Sequence, residues 1–96
     1  MNTLELLSSK RPDLMRAAAH HRAMSLRVFG SVARGEDQPG SDIDFLVEFS
    51  PEASLLDLVG LKQDFEALLG RTADIVTPDG VSPLLRDRIL DEARDL

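Results

Sequence analysis

The chain has 96 residues, 43% hydrophobic and 29% charged, with 11 Lys and Arg against 17 Asp and Glu for a net charge of −6. This predicts one folded domain over residues 1–96 and excludes a disordered chain. The lack of cysteine excludes disulfides, thiolate metal sites and a cysteine nucleophile, and the acidic balance argues against stable nucleic-acid binding, which rests on clustered Lys and Arg.

No apolar run approaches the roughly 20 residues needed to cross a bilayer. The first residues have an early acid, Glu5, and no long apolar core, so a secretory signal is not expected and a cytoplasmic protein is. Residues 3–8 read as a helical turn capped by Thr3. A second helix opens at Pro12, a favoured early helical residue, with Leu14, Met15, Ala18 and Ala19 at helical spacing as far as about Ala23. Residues 26–29 form a short apolar strand ending at Gly30. Residues 31–34 read as the first turn of a short helix, and residues 35–40 are dense in turn formers.

From residue 42 to 49 the pattern alternates. Ile43, Phe45, Val47 and Phe49 point one way; Asp42, Asp44, Leu46 and Glu48 point the other. Ser54 caps the next helix, with Asp57 as the reciprocal acid. Leu58, Leu61, Phe65 and Leu68 give that helix its apolar stripe, and Gly70 closes it. Residues 73–76 are a third strand, followed by the turn Thr77-Pro78-Asp79-Gly80. Ser82-Pro83 opens a last helix, expected to send Leu85, Ile89 and Ala93 to the core and Arg86, Arg88, Asp91 and Arg94 largely outside. The order αβαβαβα defines an α/β (α+β) fold with a three-stranded sheet packed against helices. Pattern alone does not fix the strand directions.

The informative stretch runs from Gly30 to Asp44. Two aspartates two apart on a strand share a face, roughly 6.6 Å apart along the chain, and can converge on a hard cation such as Mg²⁺. Without a cation they would repel. Gly30 at a strand end lets backbone approach a ligand. If Ser31 begins a helix, free N–H groups there favour phosphate. Arg34, three residues on, lies on the same face and could reach a triphosphate oxygen. Either piece alone is a common turn or a solvated edge. The joint spacing Gly30-Ser31-x10-Asp42-x-Asp44 is expected by chance in roughly one chain of this length in a thousand.

That spacing resembles the signature of nucleotidyltransferases with a DNA polymerase beta-like fold. The longer runs Phe29-Gly-Ser-Val-Ala-Arg-Gly35 and Ser41-Asp-Ile-Asp44 resemble the minimal nucleotidyltransferases of prokaryotes, small antitoxin-type proteins commonly encoded beside a HEPN-domain ribonuclease toxin. The resemblance extends to Ala73-Asp74-Ile-Val-Thr77 and Ser82-Pro-Leu-Leu-Arg-Asp-Arg88. It implies a three-stranded mixed sheet and a third carboxylate on a later strand, which Asp74 matches. Read by itself, Asp74 is an acid in a short apolar strand, either at a sheet edge or functional; Asp79 is a rival in a turn, where Asp is ordinary.

The resemblance further implies catalysis by Asp42, Asp44 and Asp74, which would hold two Mg²⁺ ions. Gly30, Ser31 and Arg34 would bind the triphosphate. AMP would pass from ATP to a side-chain hydroxyl of a HEPN toxin (AMPylation), silencing it. One alternative is an antitoxin that neutralises its partner by binding alone. Another is a small-molecule nucleotidyltransferase, for which 96 residues leave little room to hold the acceptor. A site this open points to a partner or a homodimer. His20 and His21 are expected to be solvated, Arg86, Arg88 and Arg94 to form an exposed helix face, and Glu36 and Asp37 to be loop acids without a task. Glu48 shares the aspartates' face further along the strand.

Overall fold

The alternation along residues 43–49, interrupted by the apolar Leu46, makes this segment the strand around which the rest packs. In the computed structural model, which describes residues 2–96, β2 (Ile43–Phe49) is an inner strand of a four-stranded sheet of order β3-β2-β1-β4. It runs antiparallel to β1 (Ala23–Phe29) and parallel to β3 (Ala73–Val76). The sheet is therefore mixed, as the resemblance implies. The fourth strand, β4 (Arg94–Asp95), has two residues and pairs antiparallel with Arg27 and Val28. The sequence gives it no strand signal, because two residues carry no periodicity.

The helices α1 (Thr3–Ser9), α2 (Arg11–His20) and α4 (Leu55–Leu69) supply the cover of one sheet face. Leu26, Val28, Ile43, Phe45, Val47 and Ala73 from the strands cluster there with Leu7, Leu14, Ala18, Leu61, Phe65 and Leu69. Phe45 and Phe65 pack ring to ring, with centroids 4.8 Å apart. Each buried aliphatic or aromatic side chain in such a cluster stabilises the fold by about 1.5–3 kcal/mol.

The helix ends follow the chemistry of their residues. Asp57 accepts a hydrogen bond from the Ser54 amide at 3.0 Å, and Gly70 closes α4 in the left-handed conformation at φ 66°. Helix α1 is capped by Asn2, which accepts from the Glu5 amide at 2.8 Å, and not by Thr3. Thr3 is buried and turned inward, where its hydroxyl donates to Asp37 and accepts from Arg71. Asp37 therefore has a task after all: it fastens the 35–42 loop to the start of the chain.

The last helix, α5 (Pro83–Glu92), differs from its sequence reading. It buries none of its residues; Leu84 is 93% and Leu85 51% exposed. Leu85 and Ile89 do not reach the core: the helix lies against α3 (Gly30–Ala33), and Ala93 is its C-cap. Arg86 is pinned to the Pro78 carbonyl at 3.1 Å, and Arg94 belongs to β4, where it donates to the Ala33 carbonyl at 3.2 Å.

His21 is not solvated as expected. Its side chain is 15% exposed and lies in a notch over Gly60 of α4, with Nε2 2.7 Å from Asp64 Oδ2 and Nδ1 3.9 Å from Asp57. Only a residue without a side chain leaves room for the ring there. Among the described residues no helix is long and apolar enough to cross a membrane.

Candidate active site

The sheet face away from the core carries the acids. Register places Asp44 of β2 opposite Asp74 of β3, and Phe29 of β1 on the other side of Asp44. Neighbours in register on adjacent strands send their side chains to the same face. Asp42 sits immediately before β2. Burial first, then the charges of Asp74 and Asp42, push the Asp44 carboxyl up to about 6, with a hydrogen bond to Asp74 adding to the rise and Arg34 opposing it. Asp44 therefore feels the charge of both other acids singled out in the sequence.

Asp74 is held from behind. Lys62 of α4 donates to the Ala73 carbonyl at 2.5 Å, and Glu66 accepts from the Ala73 amide at 3.0 Å. Both backbone groups of the residue before Asp74 are thereby tied to α4, and the Ala73 amide, then the Lys62 ammonium, hold the Glu66 carboxyl below its ordinary range. Asp42 is held by its preceding residue in a similar way: Arg71 clamps the Ser41 carbonyl through Nε at 3.1 Å and Nη2 at 2.5 Å. Sequence reasoning missed all three: Lys62 and Glu66 read as an ordinary i,i+4 surface pair until the turn at Gly70 brings Ala73 back to them, and the Arg71 clamp on Ser41 spans 30 residues.

Gly30 closes the site at the end of β1. Its φ is +73°, and a Cβ added there would lie 2.4 Å from Asp44 Oδ2. The glycine is required both for its backbone conformation and for the close approach of the aspartate. Ser31 follows in α3, half-buried, and its carbonyl accepts from the Glu36 amide at 2.8 Å. Arg34 is the C-cap of α3. Its guanidinium pairs with Glu36 at 3.1 Å and with Glu92 of α5 at 2.7 Å, which hold it protonated above its ordinary value. Glu92 also accepts from the Gly30 amide at 2.8 Å. Nothing in the sequence marks Glu92. Glu48, further along β2, pairs with Arg27 at 3.5 Å.

The donor set of Asp42, Asp44 and Asp74 is made of carboxylate oxygens only, which suits a hard divalent cation such as Mg²⁺. Among the described residues no three acidic or imidazole side chains stand close enough together to hold a metal ion. Repulsion between adjacent carboxylates works against such an approach, and a cation would remove that cost.

An in-register aspartate pair on a mixed sheet, faced by a glycine-serine turn, is the arrangement of a nucleotidyltransferase. The sequence comparisons agree. Residues 18–96 match the family model of the nucleotidyltransferase domain. The chain is 45% identical over 96 residues to a protein of Methanocaldococcus jannaschii provisionally assigned as a protein adenylyltransferase, covering 100% of this chain and 99% of that protein. It is 40% identical over 65 residues to the protein adenylyltransferase MntA of Thermococcus cleftensis, covering 68% of this chain and 66% of that one. A solved structure described as a candidate minimal nucleotidyltransferase superposes with a TM-score of 0.89 at 46% identity, covering 100% of this chain and 97% of that chain. A toxin-antitoxin crystal structure with AMP-PNP shares the fold at a TM-score of 0.73 and 19% identity, over 88% of this chain and 69% of that chain. The chain belongs to the nucleotidyltransferase domain family, in its minimal form.

Proposed function

We propose that residues 1–96 form one catalytic domain that transfers AMP from ATP to a side-chain hydroxyl of a partner protein, and that this silences a HEPN-type toxin. The observation that carries the reading is the in-register placement of Asp44 beside Asp74, with Gly30 packed against Asp44. The adenylyl-transfer names of the relatives support the choice of reaction, and the toxin-antitoxin neighbours support the choice of partner.

In this reading Asp42 and Asp44 hold Mg²⁺, and Asp74 completes the set toward the acceptor. When bound, one or two such ions neutralise charge on the triphosphate and on the attacking and leaving oxygens. The Gly30 amide, the Ser31 hydroxyl and the Arg34 guanidinium bind the β- and γ-phosphates. Asp74 accepts the proton of the acceptor hydroxyl. Its oxygen bonds to the α-phosphorus in line as the bond to the bridging oxygen breaks, and pyrophosphate leaves. The acceptor becomes a phosphodiester of AMP.

The experiment incubates the protein with α-labelled ATP, Mg²⁺ and the product of a neighbouring HEPN-type gene. Label is expected on the partner, and none with the combined Asp42→Asn and Asp44→Asn substitutions. Label transfer that survives both substitutions overturns the metal site. Exposed Leu55, Leu56 and Leu84 favour a second reading, neutralisation by contact alone. Full protection of cells by the Asp42, Asp44 and Asp74 triple Asn variant would select it.

A further inference from the structure

Glu92 has no reason to stand where it does for the sake of its own helix. It is the last residue of α5, and an acid in a final turn faces the negative end of the helix dipole. Its carboxylate is instead held by α3 and the residue that opens it. One oxygen, Oε1, accepts from both the Gly30 amide at 2.8 Å and Arg34 Nη1 at 2.7 Å. These are two of the three groups assigned above to the triphosphate. The side chain is 20% exposed, so the contact is partly shielded from water.

We propose that Glu92 is an internal anion that occupies the phosphate-binding groups until nucleotide displaces it; the inference rests on the phosphate assignment just made. A carboxylate and a phosphate oxygen make the same charge-assisted hydrogen bonds to an amide and a guanidinium. A single acceptor atom cannot share those donors with a phosphate oxygen at the same point. Glu92 also adds a negative charge at Gly30 and Arg34, which opposes an incoming polyanion there.

The displaced side chain has a partner ready on its own helix. Arg88 lies four residues earlier, on the same face, and lines with Glu92, Gly30 and Arg34 a cavity of about 160 Å³ between α3 and α5. Release therefore requires a rotamer change of Glu92 and leaves the β4 pairing at Arg94 and Asp95 in place. The device keeps Gly30 and Arg34 satisfied without substrate and sets a threshold that weak anions do not cross.

The test compares the wild-type chain with Glu92→Gln, which keeps the shape and removes the charge. Binding of a non-hydrolysable ATP analogue with Mg²⁺ is measured by calorimetry, and the Gly30 amide is followed by NMR. Glu92→Gln is expected to bind the analogue about three- to tenfold more tightly, the range a partly exposed charged contact supports. The Gly30 amide resonance of the free protein should differ between the wild type and Glu92→Gln, and in the wild type it should move when the analogue binds. Equal or weaker binding by a folded Glu92→Gln variant overturns the exchange. If that variant does not fold, an NMR-detected Glu92 carboxyl that keeps its free-state shift in the analogue complex of the wild type overturns it. No binding by either protein removes the phosphate assignment itself, which distinguishes that failure from failure of the exchange alone.

Discussion

Asp44 and Asp74 stand side by side on the parallel strands β2 and β3, and burial together with the neighbouring Asp74 charge lifts the Asp44 carboxyl to about 6. A free carboxyl ionises near 3.9. Between about pH 4 and 6 the folded chain thus holds a proton on Asp44 that the unfolded chain releases.

The sign of the pH effect follows. A group whose folded value lies above its unfolded one gives stability that is present at low pH and lost as pH rises through the folded value, here between about 4 and 6. Asp44 is only half-buried, so solvent screening reduces the effect to about 1 kcal/mol. Asp44→Asn is expected to raise Tm by about 5 °C at pH 8 without divalent cation. The gain should vanish near about pH 3.5, where both forms are neutral. Mg²⁺ should raise the wild-type Tm at pH 8 and leave the variant unchanged. Thermal melts across pH, with and without Mg²⁺, check this.

Gly30→Ala is expected to lose both stability and cation binding. The new Cβ would lie 2.4 Å from Asp44 Oδ2, on a residue at φ +73°. The left-handed conformation alone costs about 1 kcal/mol or more, and displacing a held carboxylate adds a similar amount. A Tm lower by about 10 °C and Mg²⁺ affinity weakened at least about tenfold, about 1.4 kcal/mol, are the expected outcomes. Wild-type Mg²⁺ affinity in the variant would contradict the close packing of Gly30 against Asp44.

His21 decides the sign of a helix substitution. Gly60→Ala in mid-helix normally stabilises by about 1 kcal/mol. Here the Cβ would meet His21 Cε1 at 2.4 Å and push the ring from Asp64. Gly60→Ala is therefore expected to destabilise the wild type by about 1 kcal/mol and to stabilise a His21→Ala background by a similar amount. Urea denaturation of the four proteins in the cycle measures the coupling; additivity would show that the ring does not lie over Gly60.

Arg71 is a positioning residue for Asp42. It holds the Ser41 carbonyl, Thr3 and Asp37 at once, and both ends of its pair with Asp37 are largely shielded from water (16% and 15% exposed). Arg71→Met removes the donor shared by three polar groups, leaves the Ser41 carbonyl without its clamp, and is expected to cost about 2–4 kcal/mol. Because Ser41 precedes Asp42, the Mg²⁺ dependence of AMP transfer should shift to higher concentration while ATP saturation changes less. A Mg²⁺ titration of activity under conditions where the variant is folded separates this from simple destabilisation.

Local patterns in the chain carried much of the result. The alternation of Ile43, Phe45 and Val47 against Asp42 and Asp44 located β2 and its two faces. Ser54 with Asp57, and Gly70, marked both ends of α4. The Gly30-Ser31 to Asp42 and Asp44 spacing was enough to identify the family. In each case the cause is short-range: side-chain periodicity, a cap, or a backbone angle only glycine adopts easily.

Other features depended on residues far apart in sequence meeting in space. The parallel pairing that sets Asp74 beside Asp44, the Lys62 and Glu66 grip on Ala73, and the Arg71 clamp on Ser41 are tertiary. So are the burial of His21 over Gly60 and the seat of Glu92 on Gly30 and Arg34. A lone acid or cation reads as solvated until its partner is placed, because charge acts through distance and burial and neither is written in local order. The amino-acid order alone determined which residue types could bind a cation and a triphosphate; the packing of β3 and α5 decided which of them stand together.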